Sequence, residues 1–488
     1  MALDTIPKQE GGKLKAVASG TLPSGQPVVV NSDGTVSVVA ESTESADQSL
    51  GSATTFESAN SQDMAATYDP DQDKVVIVYQ DNTNSLYGTA IIGTVSDTSI
   101  SFGTPTVFNS ANTYQIATAY DASAQKAVVF YSDDGNSSYG TGIVGTVSGT
   151  SISFGSETVF ESATTYWISC AYDANAQKTV VAYRDSGNSL YGTSIVATVS
   201  GTSISFGSPV VFNSGSTYET SATYDSTAQK VVISYADNNN SGRGTAIVGT
   251  VSGTSISFGS AGVFNSGRSE QSSIAYDANA DKVVVAYRQD SNGYCLANVG
   301  TVSGTSISFG SSATVNAASS EYISTVYDSN AEKVVVCYRD NGNSNRGRFN
   351  VGTVSGTSIS FAGEQLFEAG ATWHIGSTYD STAKRVIIVY GDEGDSYYGK
   401  AIVLQNAFSR TTSNLTSENY IGMSTGGAVA DTGNATIDIV GTVNKEQSGL
   451  TPGQQYYVQT DGAIGTTPAS PSVLAGTAVS ATKMVVKS

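Results

Sequence analysis

Hydrophobic and polar positions alternate along most of the chain with the two-residue period of β-strands, and runs of Gly, Ser, Asn and Asp separate the strand-like segments. The segment from Lys126 to Tyr131 is typical, because it is rich in β-branched and aromatic residues. Helical periodicity is absent from the sequence. The pattern therefore predicts an all-β protein.

The strand pattern repeats seven times, and every repeat contains a Tyr-Asp pair that lies 51 or 52 residues after the previous one. The pairs are Tyr68-Asp69, Tyr120-Asp121, Tyr172-Asp173, Tyr224-Asp225, Tyr276-Asp277, Tyr327-Asp328 and Tyr379-Asp380. They define repeats 1 to 7. Each repeat is predicted to hold four strands, A to D, with strand A ending at the Tyr-Asp pair.

The ends of the array predict how it closes. The last repeat has no Ser-Phe-Gly strand after Lys400 to Leu404, whereas an isolated strand, Leu50 to Ser58, precedes the first repeat. Four antiparallel strands per repeat are typical of propeller blades, and closure removes exposed sheet edges. The sequence therefore predicts a seven-bladed β-propeller of four-stranded blades, closed by an N-terminal strand.

The flanking segments predict a small second β-domain. The propeller is predicted over residues 46–407, with an N-terminal attachment segment at 1–45 and a C-terminal β-rich segment at 408–488. The sequence at 22–35 resembles that at 450–463, and each segment reads as a strand that turns at Asp-Gly. Because closure of the propeller brings the two flanks together, we expect them to pack as one domain.

Charge and composition narrow the class of partner. The net charge of −19 disfavours nucleic acid and anionic membranes, and no apolar run is long enough to enter a membrane. Met1 to Lys15 lacks a signal-peptide core, so synthesis and folding in a cytoplasm are expected. Cys170, Cys295 and Cys337 have no metal-ligand spacing, and neither a disulfide nor a metal site is predicted.

Aromatic and acidic residues mark the predicted binding face, which is the mouth of the central channel. They lie six or seven positions before the Asp of each Tyr-Asp pair, in the loops expected to join strand D to strand A. Such side chains suit sugars or cationic groups. Packing between neighbouring blades is the alternative explanation. The candidates are Tyr114, Tyr166, Trp167, Tyr218, Glu270, Glu321, Tyr322, Trp373 and His374.

The sequence offers few catalytic arrangements. His374 is the single histidine of the chain, which leaves one base for a nucleophile triad. Glu270 and Glu321 form a carboxylate pair of the type that hydrolyses glycosides, although a binding surface has the same residues. Asp and Asn residues in the B-to-C loops are turn formers that also suit Ca²⁺. We therefore predict no catalytic residues and no cofactor.

Both flanks resemble segments of known virion proteins. The runs at 14–36, 448–462 and 475–483 are similar to structural and tail-fibre-like proteins of tailed phages, especially marine ones. The resemblance implies a virion component that is assembled in the host cytoplasm, forms a homo-oligomer and binds other virion proteins through its flanks.

Three functions remain open at this stage. The main prediction is a non-enzymatic phage tail fibre or surface appendage whose propeller presents a face for a host glycan or receptor. A capsid-decoration or tail-associated protein that binds neighbouring virion subunits is the first alternative. A glycan-cleaving enzyme is the second.

Overall fold

The computed structural model describes residues 12–487, and these residues form an all-β structure, as predicted. Residues 1–11 of the predicted N-terminal segment lie outside the described part. No helix among the described residues has the length and apolarity needed to span a membrane. Five single-turn 3₁₀ helices occur in this part of the chain, at Asp134–Asn136, Ser186–Asn188, Asn238–Asn240, Asn341–Asn343 and Glu393–Asp395.

The chain divides into two compact units. One unit combines residues 1–46 with 409–488, and the other spans 47–408. The first strands of the chain are β1 (Lys13–Val17), β2 (Pro27–Val30), β3 (Val36–Val38) and β4 (Glu41–Ala46).

The strands of the repeats follow without long interruptions. They are β5 (Ser49–Leu50), β6 (Thr54–Asp69), β7 (Lys74–Asp81), β8 (Tyr87–Ser96), β9 (Ser99–Phe102), β10 (Thr106–Asp121), β11 (Lys126–Asp133), β12 (Tyr139–Ser148), β13 (Ser151–Phe154), β14 (Thr158–Asp173), β15 (Lys178–Asp185), β16 (Tyr191–Ser200), β17 (Ser203–Phe206), β18 (Val210–Asp225), β19 (Lys230–Asp237), β20 (Arg243–Ser252), β21 (Ser255–Phe258), β22 (Gly262–Asp277), β23 (Lys282–Gln289), β24 (Tyr294–Ser303), β25 (Ser306–Phe309), β26 (Ala313–Asp328), β27 (Lys333–Asp340), β28 (Arg346–Ser355), β29 (Ser358–Phe361), β30 (Gln365–Asp380), β31 (Arg385–Asp392) and β32 (Tyr398–Gln405).

The last strands belong to the flanking unit. They are β33 (Phe408–Ser413), β34 (Tyr420–Thr425), β35 (Asn434–Asp438), β36 (Val443–Asn444), β37 (Gln455–Val458), β38 (Ile464–Gly465), β39 (Val473–Ser480) and β40 (Lys483–Val486). N- and C-terminal strands mix in this unit, since one sheet has the order β1-β35-β34-β2-β3 and β33 pairs with β4. A second sheet has the order β36-β40-β39-β37-β38.

Both predicted Asp-Gly turns are present in the flanking unit. Gly34 and Gly462 have φ of 84° and 86°, a conformation that glycine adopts without strain. Asp33 accepts a hydrogen bond from the Thr35 amide and Asp461 accepts one from the Ala463 amide, each at 2.9 Å. The similarity of the two sequence segments therefore reflects the same local turn.

The 16-residue strands correct one prediction about the repeats. Strand β14 pairs with β12 through its first half and with β15 through its second half, so it joins strand D of one repeat directly to strand A of the next. No loop separates the two halves. The predicted D-to-A loops are therefore wrong, because the ladder of hydrogen bonds passes directly from one partner strand to the other.

The N-terminal strands pair with the last repeat. Leu404 of β32 lies opposite Leu50 of β5, and Ala401 of β32 lies opposite Thr54 of β6. Strand β6 thus occupies the place beside β32 that β14 occupies beside β12 in an earlier repeat.

The apolar core lies between neighbouring repeats. Val128 and Phe130 of β11 pack in one cluster with Val181 and Tyr183 of β15, and all four are buried. Complete burial of a side chain of this size contributes about 1.5–3 kcal/mol. A corresponding cluster joins β7 of repeat 1 to β31 of repeat 7. The alternating apolar residues of strand B therefore hold adjacent repeats together.

The Tyr-Asp pair forms the turn between strands A and B and also contacts the adjacent repeat. Asp173 accepts hydrogen bonds from the amides of Asn175 and Ala176, at 3.0 and 2.9 Å. The Asn175 amide also donates to the hydroxyl of Tyr224 in the next repeat, at 3.2 Å. Tyr68 of repeat 1 makes the corresponding link to repeat 7, because its hydroxyl lies 2.6 Å from Oγ1 of Thr382.

Candidate functional site

The predicted site residues lie at a β-bulge near the start of each strand A. In repeat 3, Tyr166 lies opposite Arg184, and the register then shifts before Ser169 pairs with Ala182. Each repeat has two consecutive candidate positions at this bulge. The residue at the second position has a positive φ of 44–54°, which a residue other than glycine adopts only when its surroundings fix it. These seven residues, named here the bulge belt, are Asp63, Gln115, Trp167, Glu219, Gln271, Tyr322 and His374.

Side chains of the bulge belt link one repeat to the next. The Asp63 carboxylate accepts a hydrogen bond from the Gln115 amide at 3.0 Å, and the Gln115 side chain accepts one from the Trp167 amide at 2.7 Å. Glu219 accepts in the same way from the amide of Gln271. The sequence concealed this role, since the members are 51 or 52 residues apart and of different chemical types.

His374 and Asp63 connect repeat 7 to repeat 1 within the belt. His374 Nδ1 lies 3.3 Å from Oδ1 of Asp63. Burial lowers the pKa of His374, and the negative charge of Asp63 offsets part of that effect. The histidine therefore has a specific partner in a second repeat, which the sequence did not predict.

Strand B supplies three arginines that sequence reasoning missed. Arg184, Arg288 and Arg339 occupy equivalent positions and lie opposite the first residue of each bulge. Their facing residues are Tyr166, Glu270 and Glu321, in that order. A search for charges 18 residues after each candidate position would have found them, because that spacing is the length of the A-B hairpin.

Glu270 lies in a shallow cleft between repeats 4 and 5. Its carboxylate accepts hydrogen bonds from Nε of Arg268 at 3.1 Å and from Nη1 of Arg288. Tyr218, Glu219 and Arg268 line the same cleft. Glu219 lines this cleft beside Glu270, and Glu321 pairs with Arg339 at 4.0 Å, so the pairing of Glu270 with Glu321 stays a prediction.

The two carboxyl groups of this cleft have different environments. The pKa of Glu219 is raised to about 7, chiefly by burial and to a smaller extent by the negative charge of Glu270, against the opposing effects of the Gln271 amide and the two arginines. Glu270 is held between two guanidinium groups, those of Arg268 and Arg288, in charge-assisted hydrogen bonds. The cleft therefore contains a carboxyl group with a raised pKa beside a second carboxyl group that is paired with two arginines.

Four of the predicted aromatic residues lie in repeats 2 to 4. Tyr114 and Tyr166 are 36% and 40% exposed, so both rings are accessible. Tyr218 is half-buried and lies 4.5 Å below the guanidinium carbon of Arg184, measured to the ring centroid. Trp167 belongs to the bulge belt and places its ring beside no other described aromatic ring.

The remaining aromatic candidates form a cluster between repeats 6 and 7. The ring centroid of Tyr322 is 5.4 Å from that of Trp373 and 5.0 Å from that of His374. Tyr397, which the sequence did not single out, packs edge-on against Trp373 at 6.0 Å. Arg339 lies over the rings of Trp373 and Tyr322, at 5.3 and 5.8 Å. The same rings therefore pack between repeats 6 and 7 and leave a half-exposed aromatic surface.

The acidic residues of the B-to-C loops make turns. Asp185 accepts a hydrogen bond from the Asn188 amide at 3.1 Å, and Asp392 accepts one from the Gly394 amide at 2.9 Å. Within residues 12–487, no three His, Cys, Asp or Glu side chains are grouped as metal ligands. The turn interpretation of these residues therefore agrees with the geometry.

The cysteines lie in strands of three different repeats. Cys295 and Cys337 are buried and Cys170 is half-buried, and all three are free thiols. Burial raises the pKa of Cys170 to about 12. Thiols of this kind are poor nucleophiles, so they belong to the scaffold.

Comparisons with solved structures give all-β proteins at very low identity. The chain is similar to NanB sialidase from Streptococcus pneumoniae (K499G mutant), with 9% identity, a TM-score of 0.43, and 74% and 70% of the two chains covered. It is similar to the Cps50 (Swd1) β-propeller domain from Myceliophthora thermophila, with 8% identity, a TM-score of 0.45, and 72% and 98% covered. AofleA from Arthrobotrys oligospora has 9% identity, a TM-score of 0.41, and 71% and 97% covered. No protein-family model and no curated protein matches the chain.

These likenesses correct the main functional prediction. The similar proteins come from bacteria and fungi, and none of those described above is a phage protein. The prediction of a non-enzymatic phage virion protein is therefore wrong as the main function. The predicted virion location, flank-bound partners and homo-oligomer stay predictions. At the level the comparisons support, the chain is an all-β protein with the repeat architecture of β-propellers.

Proposed function

We propose that this protein acts on glycans and hydrolyses a glycosidic bond in the cleft that holds Glu219 and Glu270. One observation carries the proposal: two carboxyl groups line one cleft in different environments, since Glu219 has a raised pKa and Glu270 is paired with two arginines. A protonated and an ionised carboxyl group are the pair that glycoside hydrolysis requires.

Glu219 is assigned the role of general acid. It donates its proton to the glycosidic oxygen while the bond from that oxygen to the anomeric carbon breaks. Glu270 accepts a proton from the water molecule whose oxygen bonds to the anomeric carbon. Two sugar hydroxyl groups result, and the proton that left Glu219 is balanced by the proton gained by Glu270.

The residues that line the cleft have the chemical groups that contact sugars. The Tyr218 ring offers an apolar surface on which the face of a pyranose stacks, and the Arg268 side chain is half-exposed. Arginine donors and carboxylate acceptors match the hydroxyl groups of a carbohydrate. Binding and cleavage are thus assigned to the same few residues.

The test is release of reducing ends from a panel of polysaccharides by the full chain. Glu219→Gln keeps the acceptor for the Gln271 amide but removes the acid, and we expect at least a hundredfold loss of kcat with little change in KM. Activity of the unsubstituted protein should fall as pH rises through about 7, where Glu219 loses its proton.

The matched control is Glu368→Gln, which neutralises a carboxylate that accepts a hydrogen bond from the Tyr390 hydroxyl outside the cleft. Its activity should equal that of the unsubstituted protein. Release of reducing ends that survives Glu219→Gln, or that shows no decline above pH 7, contradicts the assignment.

The second candidate function is carbohydrate binding without cleavage, and the cluster of Tyr322, Trp373, His374 and Tyr397 favours it. Clustered aromatic rings beside an arginine offer apolar surfaces for sugar faces. The chain has two tryptophans, so Trp167→Phe leaves Trp373 as the single fluorophore of its type. A soluble polysaccharide that binds the cluster should change this emission. Unchanged emission in the presence of bound polysaccharide contradicts the candidate.

The finer architecture is also a proposal: seven blades, each of four strands, closed by the N-terminal strand. The pairing of β32 with β5 and β6 supports it, as do the links from Tyr68 to Thr382 and from His374 to Asp63. Closure matters for the proposed function because it fixes the geometry of clefts between adjacent repeats.

A further inference from the structure

Three repeats have an arginine at the same position of strand B, and its surroundings differ among them. In repeats 5 and 6 the arginine of strand B faces a glutamate, and an ion pair forms within 4.0 Å. In repeat 3 the facing residue is Tyr166, and the arginine is Arg184. A glutamate therefore neutralises the positive charge of this arginine in repeats 5 and 6 but not in repeat 3.

Arg184 has tyrosine rings as neighbours and no anionic partner. Its guanidinium carbon lies 5.1 Å from the ring centroid of Tyr166 and 4.5 Å from that of Tyr218. Among residues 12–487 no carboxylate lies within ion-pair distance of Arg184. Its Nε is buried without a hydrogen-bond acceptor, as are those of Arg288 and Arg339, so the missing glutamate is what distinguishes it. A partly buried cation with unused donors favours an anionic ligand.

We propose that Arg184, Tyr166 and Tyr218 bind the anionic group of an acidic sugar unit, a carboxylate or a sulfate. This inference rests on the proposed function, which makes a glycan the ligand, and it adds that the bound sugar unit is anionic. Guanidinium groups bind both anions through paired N–H donors, and tyrosine rings provide a surface for the apolar face of the sugar.

The position of the site connects it to the cleft. Tyr218 contacts Arg184 on one side and lines the cleft of Glu219 and Glu270 on the other. A sugar held by Arg184 is therefore next to the unit held in the cleft. The anionic unit is placed beside the bond to be cleaved, where it fixes which bond enters the cleft.

The net charge of the whole chain opposes the binding of acidic sugars. With a net charge of −19 the protein repels polyanions in general, so affinity for an acidic sugar must come from a local cation. A contact with a partly buried arginine is screened less by salt than long-range attraction is.

The experiment measures affinity by titration calorimetry with the full chain. The probes are three short oligosaccharides of equal length, namely a galacturonate trimer, a galactose trimer and a sulfated galactose trimer. We expect at least one of the acidic probes to bind at least tenfold more tightly than the neutral trimer. The comparison between the two acidic probes shows whether the site takes a carboxylate or a sulfate.

The decisive variant is Tyr166→Glu, which gives Arg184 the partner that Arg288 and Arg339 already have. It should abolish the preference for the acidic probe, so that the acidic and neutral trimers bind with equal affinity. Arg184→Gln should do the same without adding a carboxylate. The control is Tyr114→Glu, because Tyr114 is the equivalent residue of repeat 2 and faces Ser132 instead of an arginine. This control should keep the full preference.

The outcomes separate the inference from the proposed function. Equal binding of acidic and neutral probes, absence of binding by all three, or a preference that survives Tyr166→Glu in a protein with unchanged thermal unfolding, overturns the inference. An acidic preference without release of reducing ends from the matching polysaccharide keeps the inference and refutes the cleavage.

Discussion

The two ends of strand A differ in how much their sequences vary from repeat to repeat. At one end every repeat has the same Tyr-Asp pair, and at the other end the bulge holds a different pair in each of the seven repeats. Both ends link neighbouring repeats by hydrogen bonds, such as Asn175 to Tyr224 at the first end and Gln115 to Asp63 at the second. A role in linking neighbouring repeats therefore does not by itself determine which residue type occupies a position.

The difference lies in what each end requires. The turn needs one buried carboxylate that reaches two amides and one hydroxyl that reaches the adjacent turn, a geometry few residues supply. The bulge needs a backbone with positive φ, and side chains as different as Trp167 and Asp63 adopt it there. The bulge end is consequently free to carry binding and catalytic chemistry, while the turn end holds the scaffold.

The largest effect should come from Asp121→Ala at the turn end. Asp121 is buried and accepts hydrogen bonds from the amides of Ser123 and Ala124, each at 3.0 Å, which lose their acceptor. We expect a loss of about 2–3 kcal/mol in the free energy of unfolding, measured by urea denaturation. Asp134→Ala, in the exposed B-to-C loop of the same repeat, is the control and should cost under about 0.5 kcal/mol.

A smaller effect is expected from Tyr68→Phe, which tests whether the first and last repeats are joined. The Tyr68 hydroxyl contacts Asp73 at 2.8 Å and Thr382 at 2.6 Å, and the substitution removes both contacts. The expected cost is about 1–2 kcal/mol by the same measurement. Tyr172→Phe, between two internal repeats, is the matched control. If its cost is large and that of Tyr68→Phe is zero, the proposed closure is wrong.

The smallest effect should come from the bulge end and depend on pH. Because burial raises the pKa of Glu219 to about 7, folding favours its protonated form. This contribution is fully present below about pH 4.5 and is lost as pH rises through about 7. The melting temperature of the unsubstituted protein should therefore fall by about 1–3 °C more between pH 5 and 8 than that of Glu219→Gln.

Glu368→Gln serves as the control for this pH dependence and should retain the full decline. Parallel melting curves for Glu219→Gln and the unsubstituted protein would show that Glu219 is not protonated in the folded state. That result would also remove the acid from the proposed reaction.

Much of the scaffold was accessible from the sequence. The period of 51 or 52 residues, the Tyr-Asp pairs and the missing last strand predicted the repeats and the pairing partner of the N-terminal strand. Strand B was predicted because its apolar and β-branched residues are contiguous. The D-to-A loop was predicted wrongly, since a strand that changes partner partway along has no sequence signal distinct from a loop followed by a strand.

The candidate site was accessible only in outline. The sequence by itself determined which residues stand at the bulges, because the register from the Tyr-Asp pair is short and fixed. Only the tertiary structure decided that Glu270 faces Arg288, that Glu219 is buried beside it and that Arg184 faces a tyrosine. Charge pairing and desolvation depend on distances between strands and between repeats, which the order of residues along one strand does not specify.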